Sequence, residues 1–150
     1  MFNVVLVTPD IPHNTGAIGR LCLSTGSTLH LVKPLGFELN EKAVKRAGLD
    51  YWQHVDLKVW ESLEAFIDAS DPKKYHLLTT KTDTSYWNAS YNKGDYLIFG
   101  SETRGLPESF LSAYPDKLRT IPMDITHVRS LNLATASGIV LFEGMRQLAL

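Results

Sequence analysis

Short aliphatic runs alternate with helically spaced apolar residues along the first third of this chain. Asn-Val-Val-Leu-Val-Thr at 3–8 and Thr-Leu-His-Leu-Val at 28–32 have the length and β-branched content of strands buried on both faces. Between them, Asn14-Thr15-Gly16 opens a helix that carries Ile18, Leu21, Cys22 and Leu23 and ends at Gly26, with Asn14 able to cap it. Strand, helix, strand is a βαβ unit, which implies a parallel sheet. The same reading predicts strands at 56–60, 75–80, 96–99 and 118–121, a helix at 61–69 stopped near Pro72, and a short helix started by Pro107. Asn40 caps a further short helix with Lys42, Lys45 and Arg46 on one face. The last helix carries Leu133, Ala136, Ile139, Val140, Leu141, Phe142, Met145 and Leu148. It is apolar around most of its circumference and therefore expected to be buried. Ser130 or Asn132 can cap it. Its first half is small-sided (Ala134, Ala136, Ser137, Gly138), which permits close approach of another backbone or a flat ligand. The expected class is α/β, a mainly parallel sheet with helices on both faces, in one domain spanning 1–150.

In an open parallel sheet, ligands bind beyond the carboxyl ends of the strands. Here those ends are Thr8-Pro9, Thr79-Thr80, Gly100-Ser101-Glu102 and Pro122-Met123, the positions richest in glycine, proline and hydroxyls. Gly100, ending a strand, reads as a place where a ligand comes close to backbone. Familiar chemistries are missing. No G-x-G-x-x-G follows a strand, and there is no Walker loop. Gly100-Ser101-Glu102 is not a nucleophile elbow, so Ser101 reads as a turn residue. The five histidines share no ligand spacing, and Cys22 is the single cysteine, so neither a metal site nor a disulfide is expected.

Composition changes this picture little. The 150 residues are 44% hydrophobic and 21% charged, ordinary for a soluble domain with its own core. No signal peptide or membrane span is expected, and the lone cysteine suits a cytoplasmic setting. Formal net charge is −1, so a nucleic-acid partner requires cations gathered on one face.

Three clusters remain. Asn14, Gly16 and Arg20 form N-x-G-x-x-x-R. Phe99 to Leu106 reads F-G-x-E-x-x-G-L, a strand end running into a two-glycine turn with Glu102 and Arg104 as a local pair. Ile121-Pro122-Met123 is followed by Ser130-Leu131-Asn132-Leu133. Taken singly, these are a cap with a solvated arginine, a tight loop, and a capped core helix. Taken in order, they resemble the three motifs of the SPOUT superfamily of RNA ribose 2′-O-methyltransferases. Ile11-Pro12, Thr25-Gly26, Lys33-Pro34-Leu35-Gly36-Phe37, the stretch from Arg46 to Trp52, and Gly94-Asp95-Tyr96 extend the resemblance over nearly the whole chain. They match the small single-domain enzymes that methylate the tRNA wobble nucleotide, cytidine or modified uridine at position 34.

The resemblance implies a deep C-terminal trefoil knot, a homodimer, a tRNA substrate and S-adenosylmethionine as methyl donor. Carried over by position, Leu78, Gly100, Glu102, Ile121, Met123, Ser130 and Leu131 touch the cofactor, with Asn132 beside them. Arg20, Ser130 and Asn132 are the implied catalytic residues. Arg20 is read as a phosphate clamp and stabiliser of a developing oxyanion, because a guanidinium is essentially never neutral. Asn14, Lys42, Lys45, Arg46 and Arg129 are expected to meet RNA, through cations on its phosphates and through hydrogen bonds. The chain departs from the family at Ala17, at Ala134-Thr135 and at Phe142, and in the loop 124–128. These departures bear on target choice more than on reaction class. Three alternatives stay open: a catalytically inactive RNA-binding protein with the same fold, a 2′-O-methyltransferase acting on another RNA site, and a small-molecule α/β enzyme of a different class.

Overall fold

The computed structural model describes residues 1–39, 42 and 50–149. The helix expected after Asn40, with Lys45 and Arg46, lies outside the described residues. The elements in chain order are β1 (Asn3–Val7), α1 (Pro12–Thr25), β2 (Thr28–Val32), β3 (Leu57–Trp60), α2 (Leu63–Ala69), β4 (Tyr75–Leu78), β5 (Tyr96–Phe99), α3 (Glu108–Ala113), β6 (Leu118–Arg119) and α4 (Leu133–Leu148). Among the described residues, one six-stranded sheet forms in the order β3-β2-β1-β5-β4-β6. Every pairing is parallel, as the βαβ rhythm predicts.

Alternation along the strands divides the core in two. Val4, Leu6, Leu29, Leu31, Leu97 and Phe99 gather with Ile18 and Cys22 of α1 and Val140 and Leu141 of α4. Their neighbours Val5, Val7, Val32 and Ile98 gather with Phe66 of α2 and Phe110 and Leu111 of α3. Successive strand side chains point to opposite faces, so runs that are apolar at every position need apolar partners on each.

Several predicted boundaries shift: β6 ends at Arg119 and not at 121, and α2 starts at Leu63 and not at 61. β4 stops at Leu78, two residues short of Thr80, because the chain leaves the sheet there to line a cleft. Helix α1 begins at Pro12, two residues before Asn14. Proline suits this first position, where its missing N–H breaks no bond. Asn14 is therefore inside the helix, not its cap. Gly26 closes α1 in the left-handed region at φ 65°, as expected of a C-terminal glycine. Helix α4 is capped by Asn132, whose side chain accepts from the N–H groups of Ala134 and Thr135. The expectation of full burial holds for one face of α4: Val140 and Leu141 are buried, whereas Phe142 is 51% exposed. Gly144 meets the Phe2 ring so closely that a Cβ would lie 2.7 Å from it, and Gly138 faces Leu21 of α1. The small residues thus serve helix packing first.

Candidate functional site

A cleft of about 620 Å³ opens beyond the carboxyl ends of β4, β5 and β6. Leu78, Gly100, Glu102, Ile121, Met123, Ser130, Leu131 and Asn132 all line it, although the sequence separates them by up to fifty-odd residues (132 against 78). Its size falls within the range of small-molecule sites. Apolar Leu78, Ile121, Leu131 and Ala136 form part of the wall, and the hydroxyls of Thr79, Thr80, Ser101 and Thr103 stand beside them.

Hydrogen bonds tie the three motifs together around this cleft. The Glu102 carboxylate accepts from the backbone N–H groups of Asp10 at 2.9 Å and Ile11 at 2.7 Å. It also accepts from the Asn14 amide at 3.3 Å. Asn14 in turn accepts from the Asn132 amide at 3.1 Å, and the Asn132 carbonyl oxygen caps α4. Helix α1 has no side-chain cap of its own. A carboxylate from the β5 loop supplies that role, satisfying N–H groups just before the helix and complementing its positive end. Thr8, at φ 50°, turns the chain out of β1 into this contact. A non-glycine residue there is uncommon, and nothing in the sequence marks it. Asn14 is 7% exposed with both polar ends engaged in this brace.

The loop after β5 also differs from expectation. A Cβ on Gly100 would lie 2.0 Å from the Gly105 carbonyl carbon and 2.2 Å from the Leu106 nitrogen. The backbone that comes close is the loop's own, doubling back through a bridge between Ser101 and Gly105. Ser101 is a turn residue, accepting from the Arg104 N–H at 3.0 Å. Arg104 does not pair with Glu102. It faces Asp10 at 3.9 Å, and Thr103 donates to the same carboxylate at 2.9 Å. No motif marks Asp10, nor Lys81 at the cleft wall; their one signal is position, directly after predicted strand ends.

Arg20 is not part of the cleft lining. It is exposed on α1, with its guanidinium 5.7 Å from the centre of the Tyr51 ring. Arg129 is exposed at the rim, and Lys42 is exposed elsewhere on the surface. In the loop 124–128, Asp124 accepts from both the N–H and the hydroxyl of Thr126, which lowers its carboxyl below the usual range.

Other titratable groups are structural. Burial pushes the Cys22 thiol up to about 12, so it is inert. His30 accepts at Nδ1 from the Trp60 indole at 3.0 Å, with Nε2 2.9 Å from the Asn3 side-chain oxygen, a neutral tautomer. Burial, assisted by Lys58, lowers its pKa to about 4. His76 is also lowered by burial, opposed by Asp95 at 2.8 Å. Among the described residues, no cluster of acidic, histidine or cysteine side chains could hold a metal ion.

The SpoU rRNA methylase family matches residues 1–142. The chain belongs to this family. It is 46% identical to the tRNA (cytidine(34)-2′-O)-methyltransferase of Escherichia coli (strain K12), over 99% of this chain and 94% of that protein. A solved structure described as giving insight into 2-OH methylation of C/U34 on tRNA aligns with TM-score 0.90 at 44% identity, covering 99% of this chain and 97% of that one. An AdoMet-bound rRNA methyltransferase from Sinorhizobium meliloti aligns with TM-score 0.84 at 26% identity, over 98% of this chain and 56% of that one. This SpoU methylase thus carries its three motifs as one hydrogen-bonded unit around a cleft.

Proposed function

We propose that this SpoU methylase transfers a methyl group from S-adenosylmethionine to the ribose 2′-hydroxyl of the tRNA wobble nucleotide, position 34. One observation carries the reading: the Glu102–Asn14–Asn132 chain that joins all three motifs at the mouth of the cleft. The similarity to the Escherichia coli enzyme supports the choice of substrate.

The cleft fits the cofactor. Its volume is adequate, and Leu78, Ile121 and Leu131 offer apolar surface for an adenine. Among the described residues, the backbone amides and carbonyls of Ile121 and Leu131 have no hydrogen-bond partner, which leaves them free to read a base edge. Leu78, Gly100, Ile121, Met123, Ser130 and Leu131 hold the cofactor, while Glu102 sets the loop that faces it. The bound cofactor supplies an electrophilic methyl group. The chain's own work is to position the ribose oxygen, since holding reactants in line accounts for much of such a barrier. Ser130 and Asn132 orient the ribose. Arg20 clamps a phosphate and favours negative charge on the oxygen as its proton leaves. Arg129, Lys42, Lys45 and Arg46 meet the RNA backbone.

In this reading the chain is one cytoplasmic domain with helices on both faces of its sheet and a C-terminal trefoil knot. The two separate core clusters, each gathering its own pair of helices, support the first point. The active form is a homodimer, with tRNA entering across the interface. Exposed Phe142 and Trp87 offer apolar surface for such pairing. A dimer also explains why Arg20 stands outside the cleft: a nucleotide lying between two copies can meet both.

The test is methyl transfer from labelled S-adenosylmethionine to tRNA lacking the modification, with the product located by nuclease digestion and mass spectrometry. The expected product is a single 2′-O-methyl group at the wobble nucleotide. Modification elsewhere, or cofactor binding without transfer, would overturn the assignment.

A further inference from the structure

The segment following the undescribed residues touches α1 at three successive points. The Tyr51 hydroxyl donates to the Gly16 carbonyl at 3.2 Å. The Trp52 ring fills the space over Gly19, where a Cβ would lie 2.7 Å from it. The Arg20 guanidinium stands 5.7 Å from the Tyr51 ring centre. The first contact fixes the Tyr51 ring relative to the helix, the second seats the neighbouring Trp52 on the same helix, and the third sets the Tyr51 ring against the one side chain on that helix given a chemical role. Among the described residues, no carboxylate pairs with Arg20. An exposed arginine held by nothing samples many rotamers, and fixing such a side chain costs conformational entropy.

We propose that Tyr51 is a positioning residue for Arg20: its ring, pinned to α1 through Gly16, holds the guanidinium in the direction from which it meets the target nucleotide. This rests on Arg20 acting on that nucleotide, as proposed above. The aromatic face suits the task. It attracts a cation without neutralising it, and leaves the five N–H donors at the edge of the fork free for phosphate or oxyanion. A carboxylate in the same place would take up two of those donors. The phenol remains protonated, since burial raises its pKa against the opposing pull of Arg20, and so the bond to Gly16 persists at neutral pH.

The experiment is a double-mutant cycle read by single-turnover methyl transfer at saturating tRNA and cofactor. Tyr51→Leu removes the ring and is expected to slow transfer about tenfold, within the range an aromatic–cation contact provides. Tyr51→Phe keeps the ring but loses the hydroxyl that pins it to Gly16, and is expected to fall between the wild-type and Tyr51→Leu rates. Cofactor affinity by calorimetry stays at the wild-type value in both. In an Arg20→Ala background, Tyr51→Leu is expected to cost nothing further. A full additional tenfold loss in that background would overturn the proposal, because the ring would then act through the fold. Equal loss in Tyr51→Phe and Tyr51→Leu would also overturn it. If Tyr51→Leu lowers the unfolding temperature enough to confuse the comparison, Tyr51→Met, close in volume but without a ring, takes its place under the same criteria. Failure of the wild-type protein to methylate tRNA would instead overturn the functional assignment on which the cycle depends.

Discussion

At the scale of single residues, the motif side chains divide into those that build the site and those that act in it. Glu102, Asn14 and Asn132 build it, each polar end meeting a partner in the fold, and Asn132 has in addition a second amide N–H for the ribose. Arg20 and Arg129 are exposed and available to RNA. Arg20→Ala is therefore expected to leave folding and cofactor binding intact while slowing methyl transfer at least about a hundredfold, the loss typical of one preorganised oxyanion donor. Arg20→Lys should restore little, since an ammonium lacks the planar fork. Single-turnover rates at saturating tRNA check this, and a wild-type rate in Arg20→Ala would remove Arg20 from the chemistry. The sequence marked these residues through its resemblance to a known family. It could not say that Asn14 is enclosed and Arg20 outside the cleft, because that depends on where α1 starts and on what its carboxylate partner is.

At the scale of elements, two features carry measurable consequences. The loop after β5 folds so tightly on itself that Gly100 has no room for a side chain. Gly100→Val is expected to open the loop, lowering stability by about 1–3 kcal/mol in line with overpacking elsewhere, and weakening cofactor binding along with it. Thermal unfolding and calorimetry separate the two effects. Weakened binding with unchanged stability would mean that the added side chain meets the ligand and not the loop. The second feature is His30 on β2, held neutral between Asn3 and Trp60. Its folded pKa of about 4 lies below the unfolded value near 6.5. Between these limits the unfolded chain binds the extra proton, so stability is complete above about pH 6.5 and falls as pH drops towards 4. The loss amounts to roughly 3 kcal/mol by that shift. His76, lowered in the same direction, adds to it. Denaturant unfolding at pH 7 and pH 5 reads the change; a flat profile would show that His30 is not held neutral.

At the scale of the whole molecule, a homodimer is the expected active form. A tRNA is large beside a 150-residue chain, and the residue assigned to the nucleotide stands apart from the cleft. The protein is expected to be a dimer at micromolar concentration by light scattering. A fully active monomer would remove the interface from the mechanism. The sequence by itself determined the parallel α/β class, since uninterrupted aliphatic runs separated by a 3.6-periodic segment can bury their faces only in a covered sheet. Through its resemblance to a known family it also picked out part of the cleft lining, Leu78, Gly100, Glu102, Ile121, Met123, Ser130 and Leu131, but not Lys81 or Thr103. Only the tertiary structure decided how those residues are used. Glu102 caps a helix some ninety residues earlier, Arg104 turns to Asp10 and not to its neighbour, and Gly100 yields its space to its own loop. Each outcome depends on which groups meet across long separations in the chain, and local periodicity and propensity carry no information about such meetings.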